Sequence, residues 1–342
     1  METKNPSDPP EAPVVEQQEL LPPVKPPSAA FVVQLFVVPM VIVSVIVVLC
    51  VAFNWLAKRG TDPATLINDL GKGNAGSWQK ALDVANLLND PNNDELRKSE
   101  PLAAKLAEML DDQIEEANLR DEQVRLRVWL CLALGVMEVD EGFDELIRAA
   151  STERDIVEVE VRKTAIESIA RRVASESISA SEVQSNAELA KILVDASTVS
   201  SDDPDKEQLY GQLRSSVAFT LGVLGGQQFV DQLAVMLGDP LPAVRFNAAT
   251  GLARYGDERC ANRLLEMLDL ETEIIGDNGK PIDSNTRTNI LLNAVKSCSQ
   301  LFANNSNVEK ADQLRAAIEK AKADASISKS VRIMIDNYLK EE

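Results

Sequence analysis

Leu237-Gly-Asp-Pro-Leu-Pro-Ala-Val-Arg-Phe-Asn-Ala-Ala-Thr-Gly-Leu-Ala-Arg-Tyr-Gly256 is the stretch that decides the fold. Asp239-Pro240 opens it with helix-start chemistry, and Gly256 closes it. Between them Arg245 is followed at three, four and seven positions by Ala248, Ala249 and Leu252. On a helical wheel these three lie within about 60° of the arginine. The arginine therefore sits in the middle of the apolar stripe. A charge on a buried seam is costly unless it is paired, so the pattern predicts a structural bond for Arg245.

The phrase recurs. Val124-Arg125 precedes Val128, Trp129 and Leu132; Val161-Arg162 precedes Ala165, Ile166 and Ile169; Leu213-Arg214 precedes Val217, Ala218 and Leu221. Weaker copies stand at Arg287 and at Val331-Arg332, the latter with Asp336 in its stripe. Recurrence at roughly 30–50 residues signals stacked supersecondary units. Asp121, Asp155, Asp239 and Asp283 precede most copies. The expectation is a ladder in which each arginine bonds a turn aspartate, its own or a neighbouring repeat's, or helix-terminal carbonyls.

Outward from these copies, apolar periodicity predicts helices in pairs. They are 63–71 with 77–89, 101–117 with 121–138, 141–150 with 155–173, and 184–198 with 205–224. Then follow 227–237 with 241–255, 258–269 with 284–303, and 307–323 with 327–340. Gly225-Gly226 ends one helix, and residues 271–283 form a polar loop inside the sixth pair.

The stretch from Leu237 to Gly256 resembles a HEAT repeat, especially the short bacterial HEAT-like kind. Leu213 to Gly225 and Val124 to Gly135 are similar, and Val161 to Ala174 more loosely so. The resemblance implies an all-α solenoid of antiparallel helix pairs over residues 61–342, about six or seven pairs. It also implies an aspartate–arginine ladder, with the arginine-bearing helices on the concave side. The first pair departs from the pattern, with Trp78 in the arginine's place.

Ahead of the repeats lie two other regimes. Residues 1–28 are rich in Pro and Glu, carry no aromatic, and read as a disordered tail. Residues 31–57 hold an uncharged run from Phe31 to Phe53 that only Gln34, Pro39 and Ser44 interrupt. That length matches a single transmembrane helix, with Trp55 at the interface and Lys58-Arg59 beyond it. The acidic flank before it and the missing small-residue cleavage site predict an uncleaved anchor. Lys58 and Arg59 outnumber Lys25, which places the repeats in the cytoplasm.

Composition narrows the chemistry. There is no histidine, so the commonest general base and zinc ligand are missing. Cys50, Cys131, Cys260 and Cys298 form no C-x-x-C pair and read as small hydrophobes. The net charge is −19, of which the first thirty residues carry about −3. A surface of about −16 repels nucleic-acid phosphates, which argues against a HEAT-fold DNA glycosylase and against any nucleic-acid partner. Gly71-Lys-Gly-Asn-Ala-Gly76 matches G-x-G-x-x-G but follows a helix and reads as a loop. Clusters such as Asp111-Asp112, Glu115-Glu116 and Asp202-Asp203 lack calcium-loop spacing.

No catalytic, cofactor or metal residue is thus expected, nor any cofactor. The opposite face of the arginine helices carries Arg127, Leu130 and Leu134, then Ser216, Phe219 and Val223, then Asn247, Thr250 and Arg254. Leu130, Phe219 and Val223 could floor a groove for a partner helix or peptide. The leading expectation is a membrane-tethered, non-enzymatic scaffold for a protein partner. The second is an enzyme or chaperone related to HEAT-like phycobilin lyases, which handle tetrapyrroles.

Overall fold

The computed structural model describes residues 28–57, 77–276 and 279–340. The Pro/Glu tail up to residue 27, the helix expected at 63–71, the Gly71–Gly76 loop, Lys58-Arg59 and Asp277-Asn278 lie outside the described residues, as does the Trp55 side chain. The chain divides into two compact units, Met1–Gly60 and Thr61–Glu342.

In the first unit a helix starts at Ala29–Val32, loosens into a π-turn at Val33–Val37 and continues as α1, Val38–Ala57. The π-turn falls immediately before Pro39. A proline lacks the N–H that an α-helix needs, and a wider turn absorbs the mismatch. The Ser44 hydroxyl donates to the Met40 carbonyl at 2.8 Å, so this polar side chain is satisfied within the helix. Val33–Phe53 has mean hydropathy 3.2 and no buried residue, and it is long and apolar enough to cross a membrane.

The second unit is helical apart from one isolated bridge among its described residues. Its longer helices are α2 (Ser77–Asn89), α3 (Glu100–Glu116), α4 (Asp121–Leu134), α5 (Phe143–Ala150) and α6 (Val159–Ala174). Next come α7 (Ala187–Thr198), α8 (Pro204–Leu224), α9 (Gln227–Met236) and α10 (Pro242–Arg254). The last are α11 (Ala261–Leu268), α12 (Ser284–Asn304), α13 (Ala311–Ala323) and α14 (Lys329–Tyr338).

Local chemistry sets the helix starts. Asp203 caps α8 by accepting from the amide of Asp205 at 3.0 Å, with Pro204 as the first helical residue. Asp283 caps α12 through the amides of Asn285 and Thr286, at 2.8 and 3.0 Å. Ser99, Asn186 and Ser328 do the same for α3, α7 and α14. Asp239-Pro240 is not itself the start of α10; the helix begins at Pro242, and the Asp239 carboxylate accepts the Leu241 amide at 2.9 Å.

The second helix of each pair forms the spine. Helices α2, α4, α6, α8, α10, α12 and α14 pack in series, and α3, α5, α7, α9 and α11 each lie against the spine helix that follows. The result is an α-solenoid of helix pairs with one continuous apolar core. Leu213, Leu221 and Leu252 are fully buried in it, each contributing about 2 kcal/mol by removal from water. Where α8 crosses α10, Gly222 meets Gly251: a Cβ on Gly222 would lie 2.8 Å from the Gly251 Cα. Glycine at that crossing lets the two backbones touch.

The segment between α11 and α12 is more ordered than a polar loop. Ile275 bridges Pro281 antiparallel, the Gly276 amide donates to the Lys280 carbonyl at 2.8 Å, and the Ile282 amide donates to the Ile274 carbonyl at 3.1 Å. Ile274 is 7% exposed, so this short hairpin is pinned by its own isoleucine.

Candidate functional site

The arginines come first, because they fix which helix faces are free. Each spine helix from α4 to α14 carries an arginine that donates to carbonyls at the C-terminal end of the first helix in its own pair or in the turn between the two helices. Arg127 donates to the Gln113 carbonyl at 3.1 Å, Arg162 to Ala150 at 3.3 Å, and Arg214 to Val199 at 2.7 Å. Arg245 donates to the Asp239 and Pro240 carbonyls at 2.9 and 2.7 Å, Arg287 to Met267 at 2.9 Å and to Asp269, and Arg332 to Asp324 at 2.8 Å. A cation at a helix C-terminus meets unpaired carbonyls and the negative end of the helix dipole.

Carboxylates complete some of these bonds, a neighbouring repeat's turn aspartate in one case and glutamates in others. The Asp239 carboxylate pairs with Arg214 of the preceding repeat at 2.7 Å, and Glu207 pairs with the same guanidinium at 2.8 Å. Arg245 pairs with Glu266 on α11 at 2.7 Å. Arg162 takes Glu153 at 2.6 Å, while Asp155 caps the turn before α6. Asp283 caps α12. Burial alone would raise the Glu266 carboxyl, but the hydrogen bonds from Arg245 and Arg263 outweigh it and hold it below the usual carboxylate range.

The copy at Arg125 keeps its turn aspartate but not its place in the buried stripe. Arg125 is 59% exposed, pairs with Asp121 at 3.3 Å, and lays its guanidinium over the Trp78 ring at 5.9 Å. Arg127 is the buried residue of α4, at 0% exposure, 3.4 Å from an equally buried Glu158 that Arg154 also holds. Leu130 is core rather than groove, Val223 is half-buried against that core, and Ser216 is buried, its hydroxyl on Glu167 at 2.5 Å. Desolvation lowers the Arg127 pKa from its ordinary value, against the attraction of Glu158.

The reactive groups elsewhere are quiet. Burial pushes the Cys131 thiol up to about 12 and raises Cys260 as well, so neither is a ready nucleophile. Cys298 is buried too. A cavity of about 670 Å³ between α3 and α5 is lined by Glu108, Asp140, Glu141, Asp144, Glu145 and Glu182. Among the described residues no three ligating groups converge on a point that could hold a metal ion.

The surface with the chemistry of a binding site is an apolar pocket of about 350 Å³ between α10, α12 and the 274–282 hairpin. Phe246 and Thr250 face it from α10, Ile290 from α12, and Ile274, Ile275 and Ile282 from the hairpin. Among the described residues no charged side chain lines it. Its polar members are largely satisfied within the chain. The Asn247 amide donates to the carbonyl and hydroxyl of Ser215, both at 3.0 Å; the Thr250 hydroxyl donates to the Asn247 carbonyl at 2.9 Å; the Thr286 hydroxyl donates to Asp283 at 2.7 Å. Apart from the exposed Asn293 amide, what remains available is apolar area. Asn247 and Thr250 thus do line a recess, as the opposite-face reading allowed, and Phe219, 47% exposed, lies one turn beyond Ser215 on α8. The hairpin isoleucines were the missed signal: Ile274-Ile275 and Ile282 stand out in an otherwise polar loop.

Residues 202–275, which span α8 to α11 and reach the hairpin, match the family described as HEAT repeats. Among solved structures, YibA of E. coli is 18% identical, covering 83% of this chain and 99% of that one at a TM-score of 0.31. Human deoxyhypusine hydroxylase in complex with glycerol is 16% identical, covering 82% and 90% at a TM-score of 0.30. A search of curated proteins finds no match to this chain.

Proposed function

We propose that this chain is a membrane-tethered, non-catalytic scaffold that captures a protein partner on the spine-helix face. The observation that carries the reading is the neutral apolar pocket among α10, α12 and the hairpin, in a chain whose net charge is −19. An apolar recess whose polar walls are largely satisfied suits a hydrophobic anchor residue of a partner. The absence of histidine and the raised thiols favour binding over group transfer. Val33–Phe53 supplies the tether, and Lys58-Arg59 after it favour a cytoplasmic repeat domain.

Photo-crosslinking in native membranes tests the reading. A diazirine residue at position 275 should give one dominant adduct, and Thr250→Arg, which fills the pocket, should abolish it. The same probe at position 235, 67% exposed on α9, should give none. Equal adducts from both positions, or one indifferent to Thr250→Arg, would refute the assignment.

A further inference from the structure

The hairpin beside the pocket has a free edge. Its hydrogen-bonded pairs are Ile274 with Ile282 and Gly276 with Lys280, which makes Ile275 and Pro281 the non-bonded pair between them. In an antiparallel ladder the N–H and C=O of a non-bonded residue turn away from the partner strand. Neither backbone group of Ile275 finds a hydrogen-bond partner among the described residues, while its side chain, 42% exposed, lines the pocket. An unpaired backbone donor and acceptor thus adjoin an apolar recess. Exposed acidic residues flank the hairpin in sequence, Glu271 and Glu273 before it and Asp283 after it, while Lys280 stands in its second strand and Glu271 pairs with Lys320 at 2.8 Å.

We propose that the occupant is an extended, basic-flanked peptide segment of the partner, which adds a strand along Ile275 and sets one large apolar side chain in the pocket. Strand addition supplies main-chain hydrogen bonds, and the alternation of an extended chain delivers every second side chain to the recess. Charge complementarity selects the flanks: lysines or arginines on either side of the anchor meet Glu273 and Asp283, Glu271 being already paired with Lys320. A helical occupant would satisfy its own backbone and leave the Ile275 groups unpaired. This inference rests on the pocket being the docking site.

The experiment is selection of a random displayed peptide library on the full chain in detergent, followed by titration of synthetic copies of the winners. Enriched peptides should carry a central Leu, Ile or Phe with Lys or Arg on both sides. N-methylation of alternate amides facing the hairpin should weaken binding about tenfold, the equivalent of one or two hydrogen bonds. Thr250→Arg and Ile275→Asp should abolish binding while the helical circular dichroism is unchanged. Winners that need an open pocket but tolerate N-methylation, or that bind as helices, would overturn strand addition and leave the apolar-anchor reading standing. Acidic winners would overturn the charge argument. No enrichment, or binding indifferent to Thr250→Arg, would overturn both the inference and the pocket.

Discussion

At the scale of the residue, the informative contrast is between Arg214 and Arg125, which share one sequence phrase. Arg214 is almost fully buried and answers Asp239, Glu207 and the Val199 carbonyl together. Arg214→Ala strands a nearly buried Asp239 and should cost about 3–5 kcal/mol. Arg125 lies in solvent with Asp121, so Arg125→Ala should cost under about 1 kcal/mol. Urea denaturation of the two variants beside the parent decides between them. Equal losses would mean that the buried pairs do not join one repeat to the next. The phrase misled at α4 because Val124-Arg-Leu-Arg127 offers two registers. Both arginines are followed by apolar residues at three, four and seven positions. Only the buried carboxylate of Glu158, brought by the next repeat, selects Arg127.

At the scale of the element, the α8–α10 crossing brings two backbones into direct contact at Gly222 and Gly251. An alanine at Gly222 gains about 1 kcal/mol of helix propensity. Its Cβ, however, would press on the Gly251 backbone at 2.8 Å, where no side chain can swing aside. Overpacking of this kind costs about 1–3 kcal/mol, so Gly222→Ala should lower the melting temperature despite the better helix former. Gly238→Ala is the control: the nearest atom to its added Cβ is the Val235 carbonyl oxygen at 3.5 Å. A melting temperature raised by Gly222→Ala would show that the two helices slide apart without penalty. Asp203 and Asp283 cap within one turn of their own helices, although in the sequence Asp203 reads as part of an acidic cluster and Asp283 as a ladder aspartate. The glycine pair is not legible in the sequence, since Gly222 and Gly251 lie on different helices.

At the scale of the whole molecule, the tether and the solenoid make separate demands. An uncleaved anchor predicts that the mature chain retains residues 29–57 and stays with membranes through alkaline carbonate washing. Intact mass of the membrane-extracted protein reads this directly. A mature chain starting after Phe53 would identify a signal sequence instead, since a short apolar helix near the N-terminus serves either purpose.

The sequence by itself determined the class of fold. Helix pairing, the arginine phrase and the apolar segment are periodic signals carried by residues a few positions apart, and local physics suffices to read them. It also made plain that no histidine chemistry was available. Only the tertiary structure decided which arginine of Val124–Arg127 is buried, that Asp239 serves Arg214 rather than Arg245, and that Leu130 is core. It alone folded Ile274, Ile275 and Ile282 against Phe246 and Ile290 to make a pocket. These outcomes depend on partners 8 to 44 residues away, from Ile282 at one limit to Phe246 and Ile290 at the other. The apolar period of a single helix is the same whichever neighbour it meets, so it cannot choose among them.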